Sequence, residues 1–111
     1  MPEKLTILFP RTIETHQDYI LSVTILQWWS ICYYQCCYAE ENMPEVPDDI
    51  NDILYDKVEA WEKANPDKIN PWSTTQHGDY VALVDDERKA HIRHLYVQIQ
   101  NGLLRLEQEQ C

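Results

Sequence analysis

The stretch YILSVTILQWWSICYYQCCYA, residues 19–39, decides the fold, because it runs for twenty-one residues without a charge. Thr12 is placed to cap a first turn that contains Glu14, and neither Gly nor Pro occurs between Pro10 and Pro44. The sequence therefore predicts one helix over residues 12–42, about 45 Å long at 1.5 Å per residue. Ile13, Ile20, Ile31 and Tyr38 fall on one stripe of it, flanked by Tyr19, Val23, Leu26, Tyr33 and Cys37. The opposite side begins polar with Glu14, Gln17 and Asp18, then turns apolar with Leu21, Ile25, Trp28, Trp29, Cys32 and Cys36. A helix apolar all round is enclosed on every side. The run is also long enough for a membrane span, but Gln27, Gln35 and the hydroxylated residues dilute it and both flanks are acidic, which favours a buried helix of a soluble fold.

A chain of 111 residues supports one domain and leaves about two further helices to cover the first. Two helices cover most of a third but hardly all of it. Part of the aromatic side, Trp28, Trp29, Tyr33, Tyr34 and Tyr38, is therefore expected to meet another copy, making a homodimer, or another protein.

The second helix is predicted over residues 47–65. Ile50, Ile53, Leu54, Val58, Trp61 and Ala64 form its apolar stripe, and Asp48, Asp49, Asp52, Asp56, Glu59 and Glu62 form an acidic face. A loop follows over 66–79, with Trp72 expected to fold back onto the core, then a helix over 80–108 entered through Asp85, Asp86 and Glu87 and carrying Gly102 inside it. Residues 80–84 read equally as a strand or an early helical turn. Residues 1–11 form an extended arm around the apolar KLTILF, residues 4–9. The expected architecture is an all-α three-helix bundle with one long central helix and this short arm. The alternative is an α+β fold pairing residues 6–9 with 80–84 in a two-stranded sheet.

Nineteen acidic against nine basic residues give a formal net charge of −10, and residues 40–69 alone hold ten acids and three bases. Such a surface disfavours direct contact with nucleic acid or anionic lipid and favours a basic protein partner. Carboxylates recurring every three or four residues along a helix lie about 5–6 Å apart, comparable to successive phosphates on one strand. The acidic face can thus be read as a nucleic-acid mimic, against the plainer reading of a solvated face that keeps the protein soluble. The N-terminus shows no secretory pattern, and adjacent or same-face Cys32, Cys36 and Cys37 suit free thiols, so a reducing cytoplasm is expected.

Glu87, His91 and His94 share one helical face at spacing i, i+4, i+7, residue types that suit zinc or iron, but one helix supplies only three ligands and no partner set can be named. Two exposed His beside a charged surface are the commoner case. The Cys group matches no closed metal pattern and is better read as core filling. Only Gly78 and Gly102 are present, too few for a phosphate loop, and the Cys group sits mid-helix in an apolar stretch, which favours the protonated thiol over an activated nucleophile. The sequence thus predicts no catalytic residue, no metal and no cofactor. Its leading functional expectation is a small, acidic, non-enzymatic interaction module that inhibits a basic partner. The alternatives are a metal-binding or redox bundle and a structural subunit or adaptor of a larger assembly.

Overall fold

A computed structural model of the chain describes residues 9–35, 48–76 and 80–102. Four α-helices occur among them: α1, His16–Gln35; α2, Asp48–Ala64; the single turn α3, Tyr80–Leu83; and α4, Asp86–Gln100. A 3₁₀ turn, Pro66–Lys68, follows α2 directly. No strand occurs among the described residues, so the fold is all-α, with α1, α2 and α4 as its three main helices. The pairing of residues 6–9 with 80–84 does not form at its second half, which is α3; residues 1–8 lie outside the described set.

α1 starts at His16, four residues later than Thr12 suggested, because a better cap lies at Thr15. The Thr15 hydroxyl accepts the Asp18 N–H at 3.1 Å, while the Asp18 carboxylate accepts the N–H groups of Glu14 and Thr15 at 3.0 and 3.1 Å. Side chain and backbone at the two ends of this first turn satisfy each other, the reciprocal arrangement of a capping box with Asp in the place of Glu. The Thr12 hydroxyl reaches only the Glu14 carboxylate, at 3.4 Å.

The core is wrapped around α1, which packs against α2, α3 and α4. Residues 18–28 are buried along their whole length except for the half-buried Ile20, including Leu21, Ile25 and Trp28 from the side expected to be left over. Trp28 is 2% exposed and stacks on Tyr96 of α4 at 5.7 Å between ring centroids. The covering chain was underestimated by two short pieces. Phe9 of the N-terminal arm enters the core beneath the Arg11 guanidinium, 4.4 Å above its ring, and α3 closes against α1 as a fourth element. Among the described residues, neither the enclosed Trp28 Nε1–H nor the Ser22 hydroxyl has a hydrogen-bond partner.

α2 runs within one residue of the span its period indicates, with Leu54 and Val58 buried and Ile50 and Trp61 half-buried, yet Ile53 of the same stripe is 45% exposed. At its end the Asn65 N–H and side-chain amide both donate to the Trp61 carbonyl, and Pro66 turns the chain away. The third predicted helix is divided. Asp85 adopts an extended backbone, φ −85° and ψ 176°, and its side chain accepts the Arg88 N–H at 2.8 Å. Asp competes with the helical backbone in this way and serves better as a cap than as an interior residue, so the chain stops at α3 and restarts as α4. α4 ends before Gly102, which has φ 86° and donates its N–H to the Ile99 carbonyl. Gly102 therefore terminates the helix in a left-handed conformation and does not mark a crossing inside it. The predicted residues 103–108 lie outside the described set. Replacing Asp85 with Ala is expected to cost about 1 kcal/mol, the usual worth of a cap, read as a lowered urea midpoint with an unchanged slope.

Candidate functional site

The site is built from the loop that follows α2, and a buried carboxylate holds that loop in place. Glu62, placed by its charge on the acidic face, is 3% exposed. Leu54, Val58 and Glu62 are four residues apart and form one row on the helix, so Glu62 is carried into the core by its position. A buried carboxylate is tolerated only when its oxygens are bonded. Here the Tyr19 hydroxyl donates to one oxygen at 2.6 Å, and the Thr75 hydroxyl and Gln76 side-chain amide donate to the other. The Tyr19 oxygen in turn accepts the Asn70 N–H at 2.8 Å, tying α1, α2 and the loop together. Burial, reinforced by the Glu62 carboxylate, pushes the Tyr19 hydroxyl well above the ordinary tyrosine range. Tyr19 also stacks on Trp61 with centroids 4.3 Å apart, and the His16 ring lies 6.0 Å from both.

The anchored loop presents Trp72 outward. Its N–H donates to the Asn70 side-chain oxygen and its carbonyl accepts the amide of the buried Gln27, both at 2.8 Å. The backbone is thus fixed on both sides while the residue is 43% exposed, contrary to the expectation that it folds back onto the core. Trp72, Leu83, Val84, Asp85 and Arg88 line a cleft of about 400 Å³ between the loop and the α3–α4 junction. A second cleft of about 410 Å³ shares Asp85 and Arg88 with it and adds Glu87 and His91. Leu83, 46% exposed, stands with Trp72 among the few large apolar residues left open to solvent.

The other residues singled out in the sequence are placed as follows. Asp49, Asp52, Asp56 and Glu59 are exposed along α2; the side chain of Asp48 lies outside the described set, and Glu62 leaves the face for the core. Of the aromatic group, Trp28 is in the core and Trp29 is half-buried, while the side chains of Tyr33, Tyr34 and Tyr38 lie outside the described set. Trp28 is consequently no surface for a partner or a second copy. Glu87, His91 and His94 are all exposed, and no group of three or more His, Cys, Asp or Glu side chains is gathered to hold a metal among the described residues. Cys32 is a buried free thiol; Cys36, Cys37 and Cys111 are not described. None of the described helices is long and apolar enough to cross a membrane. The Glu62 anchor was missed, although its i+4 spacing from Val58 signalled it. The Trp72 platform carried no such signal, since the Gln27 that clamps it lies 45 residues away.

The chain is similar to part of three DNA ligases. It is 44% identical over 64 residues to one from a Nitratiruptor species, a match covering 58% of this chain and 9% of that protein. With the DNA ligase of Nautilia profundicola it shares 36% identity over 84 residues, covering 76% of this chain and 12% of that protein. With that of Campylobacter concisus the figures are 30% over 82 residues, 74% and 12%. The chain thus spans about a tenth of the length of the curated relatives it matches. No protein-family profile and no solved structure matches it. The similarity to enzymes named for joining DNA overturns the expected non-enzymatic inhibitor or nucleic-acid mimic, and with it the expected exclusion of nucleic acid in favour of a basic partner. The physical reason is that an acid surplus speaks for solubility and long-range fields and does not by itself decide what a surface binds.

Proposed function

We propose that this chain is a helical module of a DNA-joining enzyme and acts with the remainder of such an enzyme on DNA. The observation that carries the reading is the 36% identity with a DNA ligase across 84 residues, three quarters of the chain, repeated at similar coverage in a second ligase. The aligned length is well beyond a shared motif. A unit that wraps its own core around α1 is also the kind of piece that a larger enzyme can carry as a module. With a formal charge of −10 the module does not hold the phosphate backbone over a long track. That work falls to basic surfaces elsewhere in the enzyme, and the module contributes local, specific contacts.

The test is exchange of the aligned segment. This chain, grafted into the Nautilia profundicola ligase in place of the matching residues, is expected to support sealing of a nicked duplex, where deletion of the segment abolishes it. A graft that folds but seals no better than the deletion would overturn the reading.

A further inference from the structure

We propose that the cleft between Trp72 and the α3–α4 junction receives one unpaired nucleotide of a DNA strand, with its base on the Trp72 indole and its phosphate on Arg88. The assignment of the strand as the source rests on the DNA-joining reading; the cleft itself stands on its own geometry. Its platform is rigid where it matters. Both backbone polar groups of Trp72 are bonded, to Asn70 and to Gln27, so an arriving ring meets a residue whose peptide is already fixed. An aromatic carried on a fixed peptide loses less entropy on stacking than one on a mobile loop. The Asn70 that accepts from Trp72 is itself held by the Tyr19–Glu62 pair, so the platform is braced from the core.

The chemistry around the platform is that of a nucleotide. Leu83 and Val84 supply the apolar wall for a base, and the volume of about 400 Å³ lies in the range of small-ligand sites. Asp85 spends one oxygen on the Arg88 N–H, which leaves its second oxygen to accept from an exocyclic amine or ring N–H on a base edge. The Arg88 guanidinium makes no ion pair among the described residues, whereas the neighbouring Asp86 carboxylate is met by Lys89 at 4.0 Å. A guanidinium held in no ion pair among the described residues, beside a partly exposed indole, complements one phosphate attached to a stacked base, with the Asp85 carboxylate of the same cleft offsetting part of its charge. Glu87 in the adjoining cleft opposes any second phosphate, so the site takes one nucleotide and does not track a backbone.

The test is binding of a fluorescently labelled single-stranded oligonucleotide of about eight nucleotides, within the usual range of strand-binding sites. Anisotropy would be followed against salt for the whole chain. One phosphate contact predicts a log–log salt slope near −0.7. Trp72→Ala is expected to weaken binding about tenfold, the worth of one stacked base, and Trp72→Phe to keep most of it. Arg88→Glu is expected to weaken binding and flatten the slope, while Lys63→Glu, the same charge change on exposed α2, leaves both within twofold. Circular dichroism confirms the fold of each variant, and Trp72→Phe keeps the question open to an answer if Trp72→Ala fails to fold. The proposal is overturned if the Trp72 variants bind within twofold of the parent, if Arg88→Glu behaves like Lys63→Glu, or if no strand binds. It is also overturned if a free mononucleotide binds and the strand does not. A graft that seals nicks equally well with Trp72→Ala removes this site and leaves the ligase reading intact; strand binding with no sealing by the graft does the reverse.

Discussion

Trp28→Ala is expected to destabilise the isolated chain by about 3–5 kcal/mol, the cost of deleting a large aromatic side chain from an enclosed core. Small domains are stable by only about 5–15 kcal/mol, so the variant stands near the edge of folding. The effect has a local cause. Trp28 is 2% exposed, stacks on Tyr96, and sits where α1 meets α4, so its removal leaves a cavity between two of the three main helices. Trp28→Phe separates packing from polarity. It keeps a ring against Tyr96 and deletes an Nε1–H that has no acceptor among the described residues, so the expected loss is below about 1.5 kcal/mol. Urea unfolding followed by far-ultraviolet circular dichroism measures both. Were Trp28 a contact between copies, Trp28→Ala would leave helix content intact and change only the sedimentation coefficient.

The second large effect is expected at Glu62. Glu62→Leu removes the acceptor for the Tyr19 hydroxyl inside the fold, at roughly 1–3 kcal/mol for a donor left without a partner, while the Thr75 hydroxyl, which also loses Glu62, keeps the Ser73 hydroxyl at 2.9 Å. Glu62→Gln retains an acceptor oxygen and is expected to cost about 1 kcal/mol. Because Tyr19 and Glu62 act as one unit, Tyr19→Phe combined with Glu62→Leu should cost less than the sum, with a coupling of about 1–2 kcal/mol in a double-mutant cycle. Strict additivity would mean that the pair does not brace the loop. The Asn70 amide, bonded to the Tyr19 oxygen, gives a second readout, since its hydrogen exchange should accelerate in either single variant.

What was legible in the sequence was the helical class and the strongest period. α2 follows the spacing of Ile50, Leu54, Val58 and Trp61, and the uncharged run of residues 19–39 does contain most of the central helix. Sign and period conflict at Glu62: its charge points to the acidic face, whereas its row is that of Leu54 and Val58, and the structure follows the row. Trp28 is covered, against the expectation of a bare aromatic side on α1, because Phe9 and α3 add cover beyond that of the two other main helices. The start at Thr15 and the break at Asp85 were both written as caps, Thr-x-x-Asp and Asp before a charged first turn, but each competed with an apparently continuous period. Trp72 was not legible at all, since its exposure depends on tertiary bonds to Gln27 and through Asn70 to Tyr19. The similarity to DNA ligases was hidden for another reason. Net charge describes a surface field and carries no trace of the similarity to part of three DNA ligases.

The decisive experiment on function is single-turnover sealing of a duplex carrying one nick, by three forms of the Nautilia profundicola ligase. These are the parent, a form lacking the segment aligned with this chain, and a form with this chain in its place, each checked for folding by circular dichroism. The deletion is expected to lose sealing by at least a hundredfold, and the graft to recover to within about tenfold of the parent, less than about 1.4 kcal/mol of lost transition-state stabilisation. A folded graft that stays at the level of the deletion would contradict the assignment of this chain to a DNA-joining enzyme.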